Sequence, residues 1–176
     1  MPRGSSAYVE GVVDVSIVVP TCFENPLKEE AIEFLTSVLR QEVRAKVPVT
    51  CVLGAYHIAT RYLRAPRKPV RDVLVGLLET YSPAFFPDVP PRLAVEALTY
   101  AADFSVESWD GYLVAVAEYL GTSIIYSLDK ELGVRVPSIK VVSPFSEDKV
   151  KEYHEYLSRL RGECTGSRGA SVSSAH

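Results

Sequence analysis

GVVDVSIVV, the sequence of Gly11–Val19, is a run of apolar and mostly β-branched residues interrupted only by Asp14 and Ser16. Its length and composition predict a β-strand. Because apolar residues occupy both alternating sets of positions, both faces of this strand are expected to be covered, as in a parallel sheet flanked by helices. Pro20 ends the predicted strand.

Further extended segments occur along the chain, and segments with helical spacing separate them. Thr122–Leu128 (TSIIYSL) and Ile139–Val142 are interpreted as a second and a third buried strand, and Ser82–Val89 contains a short extended segment. Strands that alternate with helices predict the α/β class, with a three-layer α/β/α sandwich and a mostly parallel central sheet. The helices are predicted at Leu27–Val43, Thr50–Leu63, Val70–Tyr81, Pro90–Ala102, Glu107–Leu120 and Ser146–Arg161, with Lys46–Pro48 as a break.

The length of the chain fits one domain. Of its 176 residues, 47% are hydrophobic, which is enough to form a core. We expect a single folded domain over residues 1–161 and a disordered tail, rich in Ser, Gly and Ala, over residues 162–176. Neither an apolar signal segment nor a run long enough to cross a bilayer is present, so a cytoplasmic protein without membrane contact is expected.

Charge and cysteine content exclude several kinds of function. The formal net charge is −3, so there is no global basic field, and contact with a nucleic acid requires a local basic patch. Cys22, Cys51 and Cys164 are far apart and lack the spacing of a zinc site or a redox motif.

Three acidic residues occupy unusual positions. Asp14 lies within the first apolar strand, Asp110 near the start of an almost wholly apolar helix, and Asp129 directly after the second strand. Taken singly, Asp110 is also compatible with a first-turn helix acid and Asp129 with a helix cap. Ligands gather at the carboxyl ends of parallel strands, and clustered carboxylates repel each other unless a cation neutralises them. Oxygen ligands of this kind suit Mg²⁺ or Mn²⁺.

The order of these segments resembles the PIN-domain family, especially the VapC-type ribonuclease toxins of prokaryotes. The resemblance covers roughly residues 12–145 and is carried by the strand with Asp14 and Ser16, by SWDGYLVAVAEYLG (Ser108–Gly121) and by IIYSLDKEL (Ile124–Leu132). It implies a Mg²⁺- or Mn²⁺-dependent endoribonuclease in which Asp14, Asp110 and Asp129 are the catalytic residues and metal ligands.

The resemblance also implies supporting residues and partners. Ser16 and Ser127 match the small hydroxyl positions of the family, which would orient carboxylates or water; capping or surface hydroxyls are the alternative. An antitoxin protein and a homodimer are the implied partners besides RNA. Tyr56, Tyr62 and Tyr81 are candidates for the dimer surface, although tyrosines also fill cores.

One position departs from the family pattern. The family has a glutamate in the helix that is predicted at Thr50–Leu63, and this chain has Gly54 there. Glu107, which is three residues before Asp110, could partly replace that carboxylate, and His57 could offer a nitrogen. A lone histidine on an apolar helix is more often a core residue, and Glu107 is more often a helix N-terminal acid.

The only dense basic stretch is RYLRAPRKPVR, which contains Arg61, Arg64, Arg67, Lys68 and Arg71. It is interpreted as a site for RNA phosphates or for an acidic partner, or else as a solvated helix end and loop. The missing glutamate keeps open a degenerate, non-catalytic PIN domain that binds RNA or a protein. A haloacid-type phosphatase or a receiver domain is a weaker alternative, because the acidic residues that each requires are not in place.

Overall fold

The computed structural model describes residues 8–166, with side chains described as far as Gly162. The fold is an α/β sandwich with one five-stranded sheet in the order β3-β2-β1-β4-β5, and every pair of neighbouring strands is parallel. This architecture confirms the predicted α/β/α fold class. The strands are β1 (Gly11–Val13), β2 (Ala45–Pro48), β3 (Phe85–Phe86), β4 (Ile124–Tyr126) and β5 (Lys140–Val142).

Helices connect all of the strands. They are α1 (Val15–Val18), α2 (Lys28–Leu39), α3 (Val49–His57), α4 (Arg67–Leu78), α5 (Pro91–Phe104), α6 (Ser108–Tyr119), α7 (Glu131–Arg135) and α8 (Glu147–Gly166), with a 3₁₀ turn at Val19–Cys22 and a π-helical turn at Ile58–Tyr62. Each longer helix matches a predicted one with shifted ends, whereas α1 and α7 were not predicted.

The first strand is much shorter than the sequence predicted, because it ends at Val13 and not at Val19. Asp14 is the cause, since its carboxylate accepts the backbone N–H groups of Val15 and Ser16 and thereby caps α1. Asp14 is therefore at the carboxyl end of the strand instead of in its interior. Ser16, predicted in the strand, lies in α1.

The segment interpreted as a break, Lys46–Pro48, belongs to strand β2. It pairs with β1 on one side and with β3 on the other, at Val47 opposite Phe85 and Pro48 opposite Phe86. Pro48 then serves as the N-cap residue of α3, so Thr50, at which the helix was predicted to begin, lies inside it. The extended segment predicted around the two phenylalanines is confirmed as strand β3.

Two apolar cores cover opposite faces of the sheet. Val13 and Tyr126 belong to the core that includes α2, α3 and α4, whereas their neighbours Val12 and Ile125 belong to the core formed with α5 and α6. This alternation follows from the two-residue period of a strand. Burial on both faces explains the continuous apolar run that the sequence displays.

Helix α6 packs closely on α5 at Gly111. A Cβ atom at this position would come within 2.2 Å of the backbone carbonyl oxygen of Ala97, so only glycine allows the approach. The contact fixes the first turn of α6, and with it the position of Asp110.

Two thiols are described, and both are buried. Burial raises the pKa of Cys22 to about 11 and also raises that of Cys51, so neither is a reactive thiolate at neutral pH. Within residues 8–166, no helix has the length and apolarity needed to cross a membrane. Helix α8 continues into the predicted tail as far as Gly166; the rest of that prediction, residues 167–176, lies outside the described residues.

Candidate metal centre

The three acids predicted from the sequence line one cleft at the carboxyl end of the sheet. Asp14 ends β1, Asp129 follows β4, and Asp110 lies in the first turn of α6. The cleft has a volume of about 1020 Å³, and Ser16, Gly54, His57, Glu107, Glu131 and Arg135 are also among its lining residues. The parallel topology explains this convergence, because it brings the ends of β1 and β4 to the same edge.

The Asp14 carboxylate accepts four hydrogen bonds. Its Oδ1 accepts the N–H of Val15 at 2.6 Å. Its Oδ2 accepts the hydroxyls of Ser16 at 2.6 Å and Ser127 at 2.8 Å, and the N–H of Ser16 at 3.3 Å. Oδ2 is therefore saturated, whereas Oδ1 retains capacity for another partner. The side chain is only 8% exposed, so its charge is desolvated and its orientation is fixed.

Ser16 and Ser127 join the ends of β1 and β4. Each hydroxyl donates its single proton to Asp14, and each accepts a backbone N–H from the segment after β4, from Leu128 at 3.0 Å and from Asp129 at 3.0 Å respectively. Ser127 is 1% exposed. The contacts hold the Asp14 carboxylate in one orientation, and the role of the two hydroxyls in an active site stays a prediction.

Asp129 is exposed, and its Oδ1 accepts the N–H of Glu131 at 2.9 Å. This contact turns the chain into α7 and resembles the capping role that was the alternative for this residue. Its second oxygen carries no hydrogen bond among the described residues. Asp129 therefore both shapes the loop after β4 and presents a carboxylate oxygen to solvent at the cleft.

The pKa of Asp110 reflects the negative charge that is concentrated in the cleft. Burial, together with the negative charges of Asp14, Asp129 and Glu107, raises the pKa of its carboxyl group to about 6. Five carboxylates line the cleft against one guanidinium, that of Arg135. The site consequently favours positive charge.

The donor set fits a hard divalent cation. Carboxylate oxygens of Asp14, Asp110 and Asp129 are the ligands that Mg²⁺ and Mn²⁺ prefer. Thr50 also lines the cleft, where its buried hydroxyl lies near the Cys51 thiol and the Tyr112 hydroxyl. As the side chains stand, residues 8–166 contain no group of three or more His, Cys, Asp or Glu residues arranged to hold a metal ion.

The candidate replacements for the missing glutamate also reach the cleft. Gly54, at the position where the resemblance implies a glutamate, lines the cleft. Glu107 is the N-cap residue of α6, but its side chain makes no capping bond within the described part of the chain. His57 is exposed at the cleft and not in the core, and its ring contacts Tyr62 edge-on at 5.4 Å between centroids.

The basic stretch lies beside the cleft and not in it. Its five cations are all exposed, on the π-helical turn, the following loop and the start of α4. None of them lines the cleft in the part of the chain that the structure describes. The cation that does line it, Arg135, was not predicted: it donates to the carbonyl of Ser105 at 2.8 Å and pairs with Glu131 at 3.5 Å. An isolated arginine in a short helix gives no signal in the sequence.

Comparisons with known proteins show the fold and leave the function open. The sequence matches no protein-family model and no curated protein. Among solved structures, the crystal structure of PAE2754 from Pyrobaculum aerophilum is similar, with a TM-score of 0.55 and 16% sequence identity over 90% of this chain and 94% of that chain.

Proposed function

We propose that this protein is a Mg²⁺- or Mn²⁺-dependent endoribonuclease of the PIN type. The observation that carries the proposal is the convergence of Asp14, Asp110 and Asp129 on one cleft, where burial, and then repulsion from the neighbouring carboxylates, raises the pKa of Asp110 to about 6. Such an arrangement destabilises the empty site, and a bound divalent cation would relieve the repulsion. Strongly perturbed carboxyl groups in a cleft are typical of functional sites.

Each side chain has a distinct part in this proposal. Asp14, Asp110 and Asp129 would hold the cation, which supplies positive charge at the scissile phosphate and lowers the pKa of a bound water. Ser16 and Ser127 keep the Asp14 carboxylate in one orientation, and the N–H of Glu131 does the same for Asp129. This support matters because catalytic geometry tolerates only small displacements.

The partners in the proposal come from the resemblance. They are an RNA substrate in the cytoplasm, a homodimeric state, and an antitoxin protein that would hold the enzyme inactive. Of the tyrosines predicted to form the dimer surface, Tyr62 is 64% exposed and Tyr81 is 84% exposed, whereas Tyr56 packs against the core. Because Tyr62 lines the acidic cleft, an interface of this kind would be centred on Tyr81.

A second candidate function is a non-catalytic PIN domain that binds RNA or a protein. Gly54 favours it, because this residue lines the cleft at the position where the family has a glutamate. One carboxylate fewer reduces the attraction for a divalent ion. Glu107, which lines the same cleft, opposes it by restoring negative charge.

Cleavage of a pool of structured RNAs tests the two candidates. Purified protein is incubated in Mg²⁺, in Mn²⁺ and in EDTA, beside an Asp110→Asn variant and an Asp103→Asn control that removes an exposed carboxylate outside the cleft. Metal-dependent cleavage that is lost only in Asp110→Asn supports the nuclease. A folded protein that cuts nothing in Mn²⁺ refutes the nuclease and leaves the non-catalytic domain.

A further inference from the structure

Exposed aromatic rings border the cleft. Trp109 is 61% exposed and Tyr62 is 64% exposed, and both line the cleft together with the exposed His57. Large aromatic surface is costly to leave in water, and its concentration at the mouth of a cleft marks a place where something binds. We call Trp109, Tyr62 and His57 the aromatic rim.

The rim has two parts on different elements. His57 is the last residue of α3, and Tyr62 is the last residue of the π-helical turn that follows. The planes of their two rings form an angle of 82°. This edge-on contact holds Tyr62 in place while its ring stays exposed. Trp109 is the residue before Asp110 in the first turn of α6. Exposed rings on two different elements therefore line the same cleft as the acids, and each can receive a flat partner.

Charge identifies the kind of partner. Tyr62 stands between Arg61 and Arg64, and Arg67 and Lys68 follow; within residues 8–166, none of these four cations forms an ion pair. Free cations interleaved with exposed aromatic rings are the composition of surfaces that bind single-stranded nucleic acids. A partner without negative charge would leave these cations unpaired.

We infer that the aromatic rim stacks unpaired nucleobases on either side of the phosphate that enters the acidic cleft, while the basic stretch from Arg61 to Lys68 follows the strand beyond it. The identification of the polymer as RNA rests on the proposed function. Trp109 and Tyr62 thereby determine specificity for unpaired over base-paired substrates, because bases in a duplex have no free face to offer a ring. The acids of the cleft do not themselves distinguish unpaired from base-paired substrates.

The first test uses the single tryptophan of the chain as the probe. Trp109 is the only tryptophan, so all indole emission reports from the rim. An oligouridylate and an abasic ribose-phosphate strand of equal length are titrated in Ca²⁺, with gel analysis to verify that each strand stays intact. Stacking predicts quenching by the base-containing strand and little by the abasic one, although both carry the same phosphates. Equal behaviour of the two strands overturns the inference.

Variants give an independent measurement by anisotropy of a labelled oligouridylate. Trp109→Ala and Tyr62→Ala are each expected to weaken binding about 5- to 100-fold, and Trp109→Phe to restore most of it. Tyr119→Ala, which removes another exposed tyrosine outside the cleft, is the matched control and should bind as the unaltered protein does. Unchanged binding in both rim variants refutes the assignment, as does a rim substitution that leaves strand binding intact but converts a dimer to a monomer in light scattering.

Failure of the inference can be told from failure of the proposed function. A protein that cuts RNA equally well with and without Trp109 and Tyr62 remains a nuclease without a stacking rim. A protein that cuts nothing, yet shows base-dependent quenching of Trp109, retains the rim and is the non-catalytic RNA-binding domain.

Discussion

Replacing Asp110 with asparagine should stabilise the metal-free protein at neutral pH. The pKa of this carboxyl group rises from 3.8 to about 6 on folding, chiefly through burial and then through Asp14 and Asp129. A shift of that size corresponds to about 3 kcal/mol of destabilisation of the charged form. Because Asp110 is only partly buried, solvent screening leaves roughly half of this, about 1.5 kcal/mol. Loss of the favourable interaction with the α6 dipole offsets about 0.5 kcal/mol. The expected net gain is about 1 kcal/mol.

The gain should depend on pH in a defined direction. Between pH 3.8 and pH 6 the folded protein binds more protons at Asp110 than the unfolded chain does, so this group lowers the free energy of unfolding as pH rises through that window. Below pH 3.8 Asp110 is protonated in both the folded and the unfolded protein, so Asp110→Asn gains no stability from removing its charge. Above pH 6 the gain in the free energy of unfolding reaches its full value.

Urea denaturation in EDTA across this pH range measures the effect, with Asp103→Asn as the control that should stay within about 0.5 kcal/mol of the unaltered protein. Added Mn²⁺ should then reverse the order of stability, because a cation present at a hundredfold excess over its Kd stabilises the protein with Asp110 by about 2.7 kcal/mol. An Asp110→Asn variant that is no more stable than the unaltered protein at pH 8 in EDTA would refute the account of repulsion in the cleft.

Three further changes test the supports of the site. Ser127→Ala removes a buried hydrogen bond to the Asp14 carboxylate and should lower the free energy of unfolding by about 1.5–3 kcal/mol, measured by urea denaturation; a loss below 0.5 kcal/mol, on the order of a surface change, contradicts it. Gly54→Glu adds a carboxylate to the cleft and should raise Mn²⁺ affinity roughly tenfold in calorimetry, whereas the control Gly54→Ala should not. Gly111→Ala forces a Cβ against the backbone of α5 and should cost about 1–3 kcal/mol by thermal or urea unfolding; an unchanged midpoint would show that α5 and α6 separate freely.

Local patterns were sufficient to predict the class of the fold and the acids. The β-branched runs at Gly11–Val13 and Ile124–Tyr126 have the composition of strands buried on both faces, and helical spacing between them requires crossover connections. Asp14 and Asp129 were detectable because a charged residue within or directly after an apolar strand is rare without a partner. These are properties of a few consecutive residues.

The ends of helices and strands, and the short elements, were not predicted by the same reasoning. The predicted strand continued to Val19 because Val15, Ile17 and Val18 are apolar and β-branched. The carboxylate of Asp14 starts a helix there instead, and Ile17 and Val18 are buried from helical positions. Strand β2 was missed because four residues that include a lysine and a proline carry no pattern of their own. Its pairing with β1 and β3 stabilises an extended conformation that its own sequence does not indicate.

The sequence by itself determined which residues are apolar, which carry charge and in what order they follow. This was enough to predict a mostly parallel α/β sandwich with one acid within a strand and another directly after a strand. Only the tertiary structure decided that Trp109, Tyr62 and His57 border the same cleft as Asp110, and that Asp110 is held at a raised pKa there. The reason is that the pattern of side chains indicates the structure of only a few consecutive residues. The distance between α3 and α6 is instead set by the crossover connections between the parallel strands. Electrostatic coupling depends on that distance and on burial, and neither is a property of neighbours along the chain.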